Sequence, residues 1–415
     1  MHITTLDILR CPYCGGRLKL VTSLFHQRDG DEIQDGILGC HCCIFGVIDG
    51  IPVMHLTDES TAARDQVQAG RPDLARRTMF SLGNAAQAAQ FDEVAASPSA
   101  TYRDVVEALG PSFEGGYFLY RFSDPTYLVA NAVVRAVAGT VLRRGGRAVD
   151  VCGGSGHLTR SLLDLSSPPP VLADLYFSKI WLARRFTSPG CEAVCCDGNS
   201  PLPFRRGAFH YAMCTDAFMF IWTKRLLVGE MARLIDDGRN DGAIVIGHAH
   251  NERAWSPSHG QPLPPEGYRD LFETAEARLF SETGLFEDVV HGGALDLARR
   301  DSAESLDADP ALTIVASRHP DVFTRHQLDD RLPAPAEHRL NPLYAIERAG
   351  DRVTLRLKFP DTDYEEEYAA CREYLPDEVT LDAAALTALN EQKITPELLE
   401  LTRRRVILQL PKKYY

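Results

Sequence analysis

No apolar run in this chain of 415 residues approaches the roughly 18 that a membrane helix needs. The opening residues, MHITTLDILRC, lack a basic stretch followed by an apolar one, so they do not read as a secretory signal. Together these absences predict a cytoplasmic protein without a membrane partner. Positive charge is also in short supply: 44 Lys and Arg face 57 Asp and Glu, a formal net charge of −13. That balance disfavours a surface gripping nucleic acid by charge alone, although it does not exclude a local basic patch. There is no internal repeat. The remaining composition, 45% hydrophobic and 24% charged, is that of a globular chain long enough for two or three domains.

Cysteine is the abundance. Eleven are present, and an odd number in a chain without a signal peptide argues against a disulfide framework. Five fall between Cys11 and Cys43. CPYCGG and CHCC supply Cys11 with Cys14 and Cys40 with Cys43. Two such pairs on two turns suit a closed tetrathiolate zinc site, which is structural rather than catalytic. Cys42 is surplus, and Cys42 or His41 can replace one of the four. A small N-terminal unit has little core, so a metal staple is physically sensible. The alternative is a metal-free unit with its thiols packed as small apolar groups. Cys191, Cys195, Cys196 and Cys214 lie beside strand patterns and read as small buried residues. Through LDILRCPYCGGRL, GILGC and DGIPVM, residues 6–56 resemble the zinc-ribbon family that includes the activator subunit of tRNA- and protein-modifying methyltransferases. CCIFGV is shorter than that family's usual spacing and carries Gly46 where proline is common.

The pattern divides the chain into 1–56, a zinc ribbon; 57–114, a helical linker; 115–320, an α/β domain; and 321–415, an α+β accessory domain. Leu128, Ala132, Val133, Ala136, Val137 and Val141 recur at helical spacing until Gly145 and Gly146 end the helix. From about Arg147 to Arg318, short apolar strands alternate with helices, which predicts a largely parallel sheet covered on both faces. The loop NERAWSPSHGQPLPPEGY is long for a simple connection and has the character of a lid or binding loop. Near the C-terminus, Val353, Leu355, Leu357 and Phe359 alternate with polar residues, as in a half-buried hairpin.

Within the α/β region, AVDVCGGSGHLTR reads as a strand, a glycine turn and a helix. Aligned on Cys152, the turn offers Cys152, Gly154 and His157, so the dinucleotide G-x-G-x-x-G fails. There is no Walker lysine. Instead Asp150 precedes Gly153, Gly154 and Gly156, which let a ligand approach the backbone closely. Asp174 ends the next strand and suits a ribose with both hydroxyls free. Asp197 follows the third strand, placed to meet an adenine amino group. Three acids at successive strand ends suit an adenosine carrying positive charge better than one carrying phosphates. The alternative roles for Asp174 and Asp197 are helix capping and turn chemistry.

VDVCGGSGHLT, LADLYFSKIWLARRF, CCDGNSPLPFRRGAFHYAMCTDAF and EMARLIDDG with AIVIGHAHN form an ordered series that resembles the class I S-adenosylmethionine-dependent methyltransferases over residues 115–318. The resemblance implies a Rossmann-like seven-stranded methyltransferase sheet. It places Asp150, Cys152, Gly153, Gly154 and Gly156 at the methionine and ribose, Asp174 with Leu175 at the ribose, and Asp197 with Gly198 at the adenine, with Thr215 nearby. Cys152 replaces the usual first glycine, and His210 stands where Asp is frequent. Asn-Pro-Pro-Tyr is absent, which makes methylation of amide or adenine nitrogen through that motif less expected. In YFLYRFSDPTY, Tyr117, Tyr120, Arg121 and Asp124 are candidates for the cofactor carboxylate or the substrate. Their alternative is an aromatic core with a surface ion pair.

Methyl transfer from a sulfonium is an in-line displacement that needs mainly positioning. A base is required only when the acceptor carries a proton. The strand-end candidates are Asp216, His248 and His250. His250 is read as the base with Asp216 orienting it. His248 is the comparison, because alternation puts the two imidazoles on one face. A satisfied strand-end histidine and a helix-capping aspartate are the plain alternatives. Trp181 reads as core. The expected function is methylation of a small metabolite or natural product at O, N or C. The rivals are a tRNA or translation-protein methyltransferase, with a basic stripe around its pocket, and a scaffold or non-methylating member of the fold. The oligomeric state cannot be read from the sequence.

Overall fold

The computed structural model describes residues 1–415 except 83, 111–114, 240, 256–259, 273–275 and 329–334. Seven short strands form the central sheet: β1 (Ala148–Val151), β2 (Val171–Asp174), β3 (Glu192–Cys195), β4 (Tyr211–Thr215), β5 (Ala243–His250), β6 (Ala277–Ser281) and β7 (Ala311–Ser317). β1, β2, β4 and β7 are buried throughout, which explains their unbroken apolar runs. The spatial order is β6-β7-β5-β4-β1-β2-β3. β1 to β5 pair in parallel, while β7 runs antiparallel to both β5 and β6. Chain order reverses between β1 and β4. A ligand crevice forms at the carboxyl ends of strands on either side of such a reversal.

The helix Pro125–Val141 buries Val129, Val133, Val134, Val137 and Ala138. It starts because Asp124 accepts the Tyr127 N–H at 2.6 Å and Pro125 fills the first helical position. HLTRSLLDL, expected as a helix, shortens to a 3-10 turn at Thr159–Leu162. There the Thr159 and Ser161 hydroxyls donate to Asp150 and Asn131 (2.6 and 2.5 Å), a use of side chains that competes with regular helix. β6, which the sequence pattern did not reveal, occupies the edge beyond β7.

The N-terminal unit covers the opposite edge. Val53 bridges Cys195 in parallel, and the Met54 N–H donates to the Cys195 carbonyl at 2.7 Å. The Trp181 indole donates to Asp49 at 2.8 Å, so Trp181 is core at this junction. Covering β3 removes an unpaired strand edge. Helices in 57–114 carry Ala63, Val67, Ala75, Phe80 and Phe91 into the core around Trp181, and the Phe80 ring lies 5.4 Å from it. In the C-terminal region, Tyr344–Ala349 and Arg352–Leu357 form the expected hairpin, extended by Glu378–Asp382. The last residues return to the central domain. The Tyr414 hydroxyl donates to the Phe118 carbonyl at 2.6 Å and lies 2.7 Å from His157 Nε2. No described helix is long and apolar enough to cross a membrane.

Candidate active site

Past β1 the chain turns sharply. Cys152, Gly154 and Gly156 have φ of 60°, 53° and 73°, a region that favours glycine and strains Cys152. A side chain at Gly153 would meet the Asp150 carboxyl group at 2.4 Å and Leu172 at 2.5 Å, so only glycine lets the turn pack this closely onto Asp150 and Leu172. Asp174 pins the turn from β2: one carboxylate oxygen accepts the Gly154 N–H at 2.9 Å, the other the Tyr176 N–H at 2.8 Å. Asp150 is buried beneath the turn. Burial, against Thr159's hydrogen bond and aided by the Asp174 charge, pushes its carboxyl up to about 7.

The turn opens on a cavity of about 620 Å³. Arg121, Asp150, Cys152, Gly153, Gly154 and Asp174 line it. Leu175, Asp197, Gly198, Thr215, Asp216 and His250 also line it. Four candidates, Tyr120, Asp124, Gly156 and His248, are not in its described wall. Gly156 faces inward instead, where an added Cβ would stand 2.8 Å from Ala183, so it serves packing rather than ligand approach. His248 lies behind His250. Thr215 lines the cavity, but its Oγ1 is itself buried with no hydrogen-bond partner among the described residues. The glycine turn, with Gly153 and Gly154 in the cavity wall, and the carboxylates of Asp174 and Asp197 fit a nucleoside. The pattern around Asp150 did not disclose Phe118, Lys179, Trp222, Glu367 or Tyr368, which complete the wall. Glu367 and Tyr368 come from the C-terminal region, far away in sequence. The loop after β5 contributes no described residue to the cavity wall, and its 256–259 portion lies outside the described residues.

At the far end, Asp216 and Arg121 form a locked group. Arg121 donates to Asp124 at 3.1 Å and pairs with Asp216 at 3.2 Å. The Tyr117 hydroxyl donates to the same Asp216 oxygen at 2.7 Å. Arg121 is thus matched by two carboxylates, which differs from the expected open cation for a cofactor carboxylate. Burial opposes the Asp216 charge, but Arg121 and His248 outweigh it and hold the carboxyl below its ordinary range.

β5 bulges between Ile246 and Ala249, and His248 there has φ 49°. The bulge replaces simple alternation, yet the two imidazoles still meet, their centroids 5.1 Å apart. Glu282, at the end of β6, accepts both the His248 backbone N–H and Nδ1–H at 2.7 Å, and the Thr313 hydroxyl at 2.8 Å. Burial disfavours a charged His248, but Glu282 prevails and raises it to about 9. Burial, reinforced by His248, lowers His250 to about 4. Asp216, His248 and His250 each bring a ligand atom within 4.8 Å of the other two.

In the N-terminal unit, the sulfurs of Cys11, Cys14, Cys40 and Cys42 all lie within 4.8 Å of one another. Cys11–Cys42, Cys14–Cys40 and Cys40–Cys42 separations are 3.6, 3.7 and 3.5 Å. A ZnS₄ tetrahedron with bonds of about 2.3 Å has edges of about 3.8 Å. The four sulfurs fit that metal, and the fourth is Cys42 where spacing had designated Cys43. The Cys43 sulfur sits 3.3 Å from that of Cys42, outside the quartet.

No protein-family model and no curated protein sequence matches the chain. Solved structures do. An S-adenosylmethionine-dependent methyltransferase from Mesorhizobium loti is 14% identical, covering 47% of this chain and 98% of its own, with a TM-score of 0.34. A chain from the complex of the Haloferax volcanii Trm112 methyltransferase activator with a methyltransferase is 17% identical (44% and 89% covered, TM-score 0.32). Geranyl diphosphate C-methyltransferase from Streptomyces coelicolor A3(2) is 13% identical (41% and 70% covered, TM-score 0.31).

Proposed function

We propose that the chain is an S-adenosylmethionine-dependent methyltransferase acting on a small molecule, with a structural zinc in its N-terminal unit. The observation that carries this reading is the glycine turn pinned to Asp174 in the wall of a cavity that Asp197 and Gly198 also line. Bound there, the cofactor supplies an electrophilic methyl group on a sulfonium. Asp174 takes the ribose hydroxyls, Asp197 and Gly198 take the adenine, and the carboxylates of the wall favour a cation over a phosphate. His250 faces the acceptor end and is held neutral at pH 7 by burial and His248.

The charge of the wall supports a small acceptor. Its described acids are Asp150, Asp174, Asp197, Asp216 and Glu367, against the cations Arg121 and Lys179. The basic stripe expected of a nucleic-acid enzyme is not among these residues. Incubating the full chain with methyl-labelled cofactor and a cell extract separated into small-molecule, tRNA and protein fractions tests the substrate class. Label should enter the small-molecule fraction; label confined to tRNA or protein would overturn it. Once an acceptor is found, His250→Ala should lower turnover by about 10²–10⁴-fold, with S-adenosylhomocysteine affinity nearly unchanged in calorimetry. His248→Ala is the comparison. Parental turnover in both variants would confine the acceptor end to positioning by other groups.

A further inference from the structure

We infer that Asp216, His248 and His250 hold a divalent transition-metal ion at the acceptor end of the cavity. The three ligand atoms come from the ends of two adjacent parallel strands and lie within 4.8 Å of one another. Bonds of about 2.1 Å at ordinary coordination angles need separations of about 3–3.5 Å, which side-chain torsions can reach. Two imidazoles and one carboxylate form a facial set that leaves positions open for an exogenous oxygen or nitrogen. His250 lines the cavity, so those open positions face the space where an acceptor sits, and an imidazole bound to the ion serves as a ligand in place of the base role given above.

The surroundings are those of a built site. Glu282 accepts His248 Nδ1–H at 2.7 Å. That bond fixes the tautomer and leaves Nε2 as the ligand atom, the carboxylate–histidine–metal arrangement seen around metal centres. Glu282 is in turn anchored by the His248 N–H and the Thr313 hydroxyl. Asp216 is oriented by Tyr117 and Arg121. Charge is also matched. With neutral imidazoles, the carboxylates of Asp124, Asp216 and Glu282 face the single guanidinium of Arg121, an excess of two negative charges that a divalent cation balances. The donor set favours Fe²⁺, Co²⁺ or Zn²⁺ over Mg²⁺ or Ca²⁺. The cysteine quartet is a separate site of different chemistry.

The test needs neither cofactor nor acceptor, so its result is independent of the methyl-transfer reading. The full chain, carrying zinc only in its cysteine quartet as checked by metal analysis, is titrated with Co²⁺ and followed by visible absorption and by metal analysis after desalting. One Co²⁺ per chain should bind with weak ligand-field bands and no thiolate charge-transfer band, which would mark exchange into the cysteines. His248→Ala and His250→Ala should each weaken uptake by more than tenfold. Glu282→Gln, whose side chain positions His248 without touching the ion, should weaken it by about 10–100-fold. Cys43→Ser, outside the cysteine quartet, should leave it intact. Far-ultraviolet circular dichroism identifies any variant that has lost its fold. Failure of the parental chain to take up Co²⁺, or uptake undiminished in both folded histidine variants, would overturn the assignment.

Discussion

Cys42→Ser should strip the zinc from the N-terminal unit and unfold it, whereas Cys43→Ser should keep both metal and fold. The difference rests on geometry that two C-x-x-C pairs do not specify. Cys40 and Cys42 sulfurs stand 3.5 Å apart, and the Cys42 and Cys43 N–H groups both donate to the Cys40 sulfur. Those bonds wrap the backbone around a thiolate and swing the Cys42 side chain toward Cys11. Zinc binding in small domains is worth about 10–16 kcal/mol at pH 7, comparable with the entire stability of a typical domain, about 5–15 kcal/mol. The consequences extend past the ribbon, because Val53 and Met54 cover the β3 edge. Elemental analysis should find one zinc fewer in Cys42→Ser than in the parent, and the parental content in Cys43→Ser. Retention by Cys42→Ser with loss from Cys43→Ser would restore the ligand set drawn from spacing.

Asp174→Ala should weaken S-adenosylhomocysteine binding by about 1.5–3 kcal/mol, the scale of hydrogen bonds to a charged group. That is roughly 10–150-fold in affinity. Two effects combine. The ribose loses its acceptor, and the Gly154 and Tyr176 N–H groups lose the carboxylate that fixes the turn. The second effect also reaches stability, since Asp174 is buried. A reduction of about 1–3 kcal/mol in unfolding free energy is expected from the two unmet donors. Calorimetry and urea unfolding on the same preparation separate the two quantities. Unchanged affinity with reduced stability would make Asp174 a structural pin only.

Much of this was legible in the sequence. Buried parallel strands read as continuous apolar runs, and AVDVCGGSG announced a strand entering a turn that only glycine could form at Gly153. Asp174 and Asp197 followed from their position at strand ends. β6 was harder to see, because ARLFS is short and includes a long cationic side chain, Arg278. The choice between Cys42 and Cys43 depends on how one loop winds, which spacing leaves open. Glu282 was hidden because SETG reads as a helix start. Ser281 does cap that helix, while Glu282 additionally reaches across two strands to His248. Glu367 and Tyr368 reach the cavity through tertiary folding, for which local pattern gives no signal. Arg121 and Tyr117, which hold Asp216 beside His250, were not legible as its partners, because their approach depends on how the segment before the helix Pro125–Val141 folds back.

The central claim is that this cavity receives the cofactor, and titration calorimetry of the full chain with S-adenosylhomocysteine tests it most directly. The account predicts saturable binding of one molecule per chain, weakened in Asp174→Ala by the factor given above. Absence of saturable binding by the folded, zinc-loaded parent would contradict it.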